Sequence, residues 1–469
     1  MPPRDKAAIS ASVKVHLNVK RSVLSDPPTK EERARAVKRT CNALGQVKAR
    51  VQNERAAKKF GLSLSEEDLI ISFPQLANDY ALSKWMSEVR NGERRVDPDS
   101  SPGNPWITIG PTNRDVFEFD ELVGYEGGNI TLLREAVLLR MQELGREPRM
   151  DDVHLFIKPE PHSPEKLQKE KYRLISGVGL TDQLIIRLLT EDVITDVNNH
   201  PLQDGLAAGW SPFADGGLTA ILNVVGRGKK MCADRSSWDW SCQEFTLLSL
   251  GEVMLWLNDD LPKSLQKVLW NHVRAIAGVK TFENHGDRFL AGPGIMLSGW
   301  YWTLVGNSIM QIFCHELTNI KLNMETKPHL AMGDDTVGEP LSQEFLQKMQ
   351  DCTGMILKET QTYENEFEFC GMHFRHSQRS SQHRAARAAS FHPVYEGKHA
   401  FQLAEMTREE ATELLPSYQW LYMYDEEKLS SIHNWMRQVG VADMVFPAPY
   451  MHRKVQGLPY KSLNPSHYL

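Results

Sequence analysis

The chain is expected to fold as an α+β protein of two or three cooperating subdomains, on three observations. Its 469 residues exceed the size at which a single hydrophobic core stops growing. Through its middle, short strand-like runs alternate with amphipathic stretches of helical period. Beyond about residue 376 the strand character fades into polar, basic sequence and then into a small helical region.

The elements follow in order. Residues 30–60 read as a basic helix with alanine spacing, either a solvated face or one turned to RNA or a partner. VDPDSSPGNPWITIGP is a turn-rich stretch in which prolines and glycines exclude regular structure. Residues 131–145 form an amphipathic helix ending at Gly145, VHLFIKPEP is a strand entering a basic loop, and 183–199 is helical. KKMCAD is a strand running into Asp234, and CQEFTLLSLGEVMLWLN is the helix after it. The apolar stretch from Ile295 to Cys314 is broken by Ser298, Gly299, Thr303, Asn307, Ser308 and Gln311 at helical spacing. A buried helix with one polar stripe fits it better than a membrane span. PHLAMGDDTVGEP gives two short strands with the acidic pair at the turn. SQEFLQKMQDC is helical, GMILKE and FEFCGMHF are strand-like, and 407–438 is helical with Pro416 as a break.

Composition narrows the function. The apolar fraction of 41% is modest, but 11 Trp, 17 Phe and 12 Tyr suffice for a sizeable core. A formal net charge of -6 argues against indiscriminate polyanion binding, so any nucleic-acid surface is local. The six scattered cysteines, with no C-x-x-C pair, suit a reducing compartment and argue against a structural metal knot. The N-terminal sequence has no apolar core of signal-peptide length.

Three segments carry chemistry: Asp234 and Asp239 in CADRSSWDWS, SGWYWTLVGN from Ser298 to Asn307, and Gly333-Asp334-Asp335. Asp234 ends a strand and Asp239 lies on the turn into a helix, where it could face an incoming sugar or act as an N-cap. Trp238 and Trp240 bracket Asp239 and anchor that turn by packing. Thr303 and Asn307, four apart, share a helix face, and Gly299 lets a nucleotide approach the backbone. An amide acting jointly with Asp239 on a 2′-hydroxyl would favour ribonucleotides. Two aspartates on a tight turn are costly unless a cation neutralises them, and flanking Leu330, Met332 and Val337 make the turn half-buried. Oxygen ligands of this kind suit Mg²⁺, and two such ions can hold the attacking and leaving oxygens of a phosphoryl displacement. In the charged loop KPEPHSPEKLQKEKYR, Lys158 and Arg173 sit beside strands and could cover a triphosphate. Lys358 could donate a proton to leaving pyrophosphate.

Together these segments resemble the palm of positive-strand RNA virus RNA-dependent RNA polymerases, most closely the sobemovirus and polerovirus type. Asp234 and Asp239 fit D-x(4)-D of motif A, Ser298, Gly299, Thr303 and Asn307 fit motif B, and Gly333-Asp334-Asp335 fits motif C. Lys158, Lys171 and Arg173 look like motif F. Ser101, Pro102 and Gly103 look like the template-guiding motif G. Lys358 is placed like the motif D lysine, and Phe369, Cys370 and Gly371 look like the motif E hairpin that grips the priming strand. The resemblance covers about residues 100–375.

It implies a right hand with fingers, a ferredoxin-like palm and a helical thumb. The expected boundaries are fingers with an N-terminal extension over 1–185, palm over 186–257, a fingers insertion over 258–292, palm again over 293–375, and thumb over 376–469. Asp234, Asp334 and Asp335 would hold two Mg²⁺ ions, with Mn²⁺ able to substitute. RNA template, nascent strand and NTPs would bind, initiation being primer-independent or protein-primed by a genome-linked protein. Other viral replication proteins are the remaining expected partners, in host cytoplasm and in membrane-associated replication complexes, with no transmembrane segment in the chain itself. A reverse transcriptase should lack the Ser-Gly/Thr/Asn helix and guard its sugar pocket with a bulky aromatic. A non-catalytic RNA-binding or assembly subunit would predict degraded carboxylates.

Overall fold

The computed structural model describes residues 5–17, 24–90, 92–158, 164–327, 329–355, 357, 360–376, 391–395 and 407–458. The helices that matter below are α1 (Lys6–Leu17), α2 (Lys30–Ala43), α3 (Gly45–Arg55), α4 (Asn129–Leu144), α5 (Leu180–Asn199), α6 (Trp238–Ser241), α7 (Glu244–Leu257), α8 (Lys263–Ala277), α9 (Thr303–Lys321), α10 (Gln343–Thr353), α11 (Arg408–Leu421) and α12 (Glu426–Val439). The strands are β1 (Val153–Ile157), β2 (Leu174–Gly177), β3 (Lys229–Ala233), β4 (Lys280–Asn284), β5 (Asp287–Ala291), β6 (His329–Met332), β7 (Asp335–Gly338), β8 (Gln361–Glu364), β9 (Glu366–Phe369), β10 (Met372–His376) and β11 (Phe391–Tyr395). The chain divides into two compact units, one of residues 1–197, 236–324 and 344–356, the other of 198–235, 325–343 and 357–469.

The first unit is built around α9, which is buried without interruption from Val305 to Ile320. A helix buried on every face, polar side chains included, must be covered all round, and α2 and α7 pack against it. A capping box starts α2: the Thr29 hydroxyl accepts the Glu32 N–H while the Glu32 carboxylate accepts the Thr29 N–H. Part of the basic charge of residues 30–60 is neutralised by carboxylates of the same unit, while Lys30, Arg35, Lys38 and Lys59 are exposed. Arg50 makes a bidentate pair with fully buried Asp196, and Arg55 bridges Asp192 at 2.8 Å and Asp260 at 3.1 Å. Arg39 reaches Glu316 of α9 at 3.2 Å. The segment therefore spends much of its charge inside its own unit.

A four-stranded sheet in the order β2-β1-β4-β5 also belongs to this unit. Its β1–β4 pair is parallel and its other pairs are antiparallel. Beside it, Arg140 of α4 gathers Glu143, Asp151 and Asp182 at 3.0, 2.8 and 2.7 Å. Burial pushes the Asp182 carboxyl up to about 6 although Arg140 opposes it.

The second unit holds the antiparallel sheet β6-β7-β3-β8 and the three-stranded sheet β9-β10-β11. One apolar cluster lies beneath them, joining Leu330 and Val337 of the first sheet to Phe367, Phe369 and Phe374 of the second and to Trp210, Met423 and Met451. A smaller cluster of Leu415, Tyr418, Tyr422, Ile432 and Met436 joins α11 to α12.

Three expectations need correction. The helix expected over Ile295–Cys314 begins only at Thr303 and runs on to Lys321. The preceding segment leaves Gly294 with Ile295 at φ +64° and is a buried loop, with Ile295, Met296, Leu297, Trp300 and Trp302 all in the core. Burial on every side hides the difference between loop and helix in hydropathy. Pro416 lies within α11 without ending it, because Leu415, Tyr418 and Tyr422 hold both sides of it to α12. GMILKE gives no strand among its described residues; Leu357 forms a single bridge to Arg235, and the strand that pairs with β3 starts at Gln361. The basic stretch 379–390 lies outside the described residues. All six cysteines are free thiols, and no described helix is long and apolar enough to cross a membrane.

Arg140→Ala should destabilise the protein by about 3–5 kcal/mol, the cost of leaving buried carboxylates without their cation. Denaturant unfolding checks this, and a loss below about 1 kcal/mol, the range of exposed pairs, would contradict the assignment.

Candidate active site

The acidic residues of the second unit are arranged by strand register. β3 pairs antiparallel with β7, with Ala233 opposite Thr336 and Cys232 opposite Val337. Continuing that register by one residue sets Asp234 opposite Asp335. Cα atoms of directly opposed antiparallel residues lie about 4.5–5.5 Å apart. β6 and β7 form a two-residue hairpin in which Met332 pairs with Asp335 and Gly333-Asp334 makes the turn. Gly333 has φ +62°, the left-handed first position that a primed hairpin turn requires. The turn is therefore Gly333-Asp334 alone, and Asp335 is the first residue of the returning strand.

Asp234, Asp334 and Asp335 are each half-buried, as the flanking apolar residues imply. Just behind them, Cys370 contacts the Met332 sulfur at 3.2 Å. Burial raises the Cys370 thiol pKa, and the charges of Asp335 and Asp334 raise it further. The Cys232 thiol is pushed up to about 12, first by burial and also by Asp335. The same negative field reaches both sulfurs. Among the described residues no three or more His, Cys, Asp or Glu side chains close into a formed metal cluster, which fits like charges side by side. Donor chemistry and placement suit a hard divalent cation such as Mg²⁺.

In the first unit, Asp239 is the second residue of the short helix α6, whose N-cap is Ser237, so Asp239 is not the cap. Trp238 and Trp240 are both buried and anchor this turn. Trp238 also donates its indole N–H to Asn307 Oδ1 at 2.8 Å, which fixes the amide on the turn that carries Asp239. The Asp239 carbonyl accepts the Met296 N–H at 2.8 Å, tying the turn to the loop that leads into α9.

That loop is pinned to β2. Ser298 accepts the Ser176 N–H at 3.0 Å and the Gly299 N–H reaches the Ser176 carbonyl at 3.2 Å. Gln183 donates to the Gly299 carbonyl and accepts the Tyr301 N–H. A Cβ on Gly299 would stand 2.4 Å from the Ser176 oxygen. Gly299 thus permits close approach of protein backbone rather than, as expected, of a nucleotide. Thr303, expected to share a ligand-facing stripe with Asn307, donates its hydroxyl to the Leu297 and Trp300 carbonyls, both at 2.7 Å. Trp300 in turn donates to His272 at 3.0 Å, and burial lowers that imidazole's pKa to about 3, so it stays a neutral acceptor.

Of the basic residues, Lys158 and Arg173 are joined across a β ladder, the Lys158 N–H meeting the Arg173 carbonyl at 2.8 Å. Lys171 Nζ donates to Ser237 Oγ at 3.1 Å, bringing the segment that leads into β2 to the Asp239 turn. Ser101, Pro102 and Gly103 form a loop fixed to the start of α5, with the Pro102 carbonyl accepting the Leu180 N–H. Phe369, Cys370 and Gly371 do form a hairpin, but the Phe369 ring lies in the core and only Gly371 is exposed. Lys358 lies outside the described residues. Sequence reading missed Ser176 and Gln183, because nothing in their local pattern marks them as partners of a loop more than a hundred residues away.

The second unit thus offers a strand-end carboxylate opposed to a hairpin carboxylate, and the first unit, by itself, a pinned amide and a basic segment. Residues 69–391 match the family model described as viral RNA-dependent RNA polymerase, and the chain belongs to that family. It is 29% identical over 321 residues to the RNA-directed RNA polymerase of Mushroom bacilliform virus, covering 63% of this chain and 75% of that one. It is 28% identical over 256 residues to replicase polyprotein P2AB of Southern cowpea mosaic virus, covering 52% of this chain and 26% of the polyprotein. Against protein P1-P2 of Potato leafroll virus the figures are 26% over 281 residues, 55% and 26%. The chain spans about a quarter of those two longer relatives. These matches identify it as an RNA-dependent RNA polymerase of the sobemovirus and polerovirus type.

Gly299→Ala should cost about 1–3 kcal/mol, because the new methyl group must displace backbone. Thermal unfolding measures this; an unshifted melting temperature would mean that the loop is not held against β2 as described.

Proposed function

We propose that this chain extends RNA on an RNA template by two-metal nucleotidyl transfer, within a right-hand arrangement of fingers, palm and thumb. The β6-β7-β3-β8 sheet corresponds to the palm. One observation carries the reading: the β3–β7 register, continued by one residue, brings Asp234 level with Asp335, and Asp334 adjoins on the hairpin. Asp234, Asp334 and Asp335 would hold the Mg²⁺ ions, and Mn²⁺ has the same hard-oxygen preference. Bound there, the cations would neutralise charge on the attacking and leaving oxygens.

The chain's own residues supply the rest. Lys158, Lys171 and Arg173, flanking the β1–β2 strand pair, attract the triphosphate of the incoming nucleotide and offset charge developing on pyrophosphate. Asp239 accepts a hydrogen bond from the ribose 2′-hydroxyl, and Asn307, held by Trp238, fixes the geometry of that reading. Rate comes chiefly from positioning and charge neutralisation. A reverse-transcriptase reading is disfavoured by the Asn307–Trp238 bond beside Asp239, which leaves the sugar reader polar.

Purified protein with a homopolymeric RNA template, with and without a primer, in Mg²⁺ or Mn²⁺, tests the reading. Template-dependent rNTP incorporation is expected, and faster dNTP than rNTP incorporation would overturn it. Asp334→Ala should lower incorporation by at least about a thousand-fold while RNA binding persists. Unchanged synthesis by that variant would refute the catalytic assignment.

A further inference from the structure

Helix α1 touches both halves of the nucleotide site in the first unit, through one side chain. The His16 ring stacks on Trp240 with centroids 4.7 Å apart and planes 13° from parallel. Its Nε2 donates to the Tyr172 carbonyl at 2.7 Å. Ser12, one helical turn earlier, accepts the Tyr172 N–H at 3.0 Å, so both backbone groups of Tyr172 are held by α1. His16, Tyr172 and Trp240 are all buried.

The chain neighbours of these two contacts matter. Tyr172 lies between Lys171 and Arg173, and Trp240 directly follows Asp239. Lys171 already reaches the turn at Ser237. His16 is a second tie between the basic segment Lys171–Arg173 and the Asp239 turn.

We infer that His16 is a positioning residue for the incoming nucleotide, locking the cations that meet its triphosphate to the carboxylate that reads its ribose. The inference rests on the proposed RNA synthesis and adds a residue remote from the three acidic and loop motifs. Two halves of a ligand site held at a fixed separation bind both ends of the ligand without an ordering cost at the moment of binding. A loosened tie therefore weakens nucleotide binding and 2′-hydroxyl discrimination together. His16 Nε2 carries the donated proton, and Nδ1 meets no hydrogen-bond partner among the described residues. Burial lowers the His16 pKa, and Lys171 and Lys166 lower it further, against the Tyr172 carbonyl.

The test uses the full chain on a primed RNA template. His16→Ala should raise the KM for rNTP about ten-fold while kcat changes much less, and should lower the preference for ATP over 2′-deoxyATP several-fold. His16→Phe, which retains a ring against Trp240, should recover part of the KM. Lys14→Ala, on the exposed side of the same helix, should match the parent protein. A purely structural role would lower kcat by reducing the folded fraction and leave KM alone. An unchanged KM in His16→Ala, or a His16→Phe no better than alanine, overturns the inference. Absence of synthesis by the parent protein would sink the functional reading instead.

Discussion

The antiparallel pairing of β3 with β7 is the constraint on which the second unit depends. It places carboxylates side by side at one end of a sheet, an arrangement that backbone hydrogen bonds must impose because the side chains repel. The sheet can impose it because it is anchored elsewhere. Leu330 and Val337 sink into the same apolar cluster as the phenylalanines of β9 and β10. Gly333 supplies the positive φ without which β6 could not turn back into β7 in two residues. A one-residue slip in this pairing would face Asp335 to Ala233 and send Val337 out of the core, so the packing that stabilises the sheet also sets the spacing of the acids.

The first unit solves a different problem, holding polar and charged groups in fixed places. Ser298 and Gly299 are bound to β2, Asn307 to Trp238, and Lys171 to Ser237. Each bond holds a polar or charged group in one place within the unit, as a pre-ordered site requires. The basic N-terminal segment belongs to this scaffold. With Arg50 and Arg55 paired to Asp196, Asp192 and Asp260, their charge is spent on holding α3 to α5 and to the turn after α7. This is consistent with a chain whose net charge is negative but whose ligand would be a polyanion.

Much of this could be read in the sequence, for reasons that differ by element. Helix α10 carries clear periodicity, and the two strands around Gly333 were legible because a turn signal separates two apolar runs. The acids of the site were legible because metal chemistry restricts residue type and order. What could not be read were contacts between distant segments. Thr303 looked ligand-facing because it shares a helix face with Asn307, whereas its hydroxyl bonds carbonyls of the preceding loop, and the small side of Gly299 is filled by the backbone of β2. Phe369 looked like part of a surface grip, but its alternation along β9 turns the ring inward. His16 carried no signal at all, since only the tertiary fold brings it to Trp240.

The central claim is that Asp234 and the Asp334–Asp335 hairpin share bound divalent ions. Fe²⁺ in place of Mg²⁺, with ascorbate and peroxide, generates radicals that cut the backbone beside the bound metal. The account predicts cuts at both places, next to Asp234 and next to Asp334–Asp335, suppressed together by excess Mg²⁺. Cuts at only one of them, or cuts that Mg²⁺ does not suppress, would contradict it.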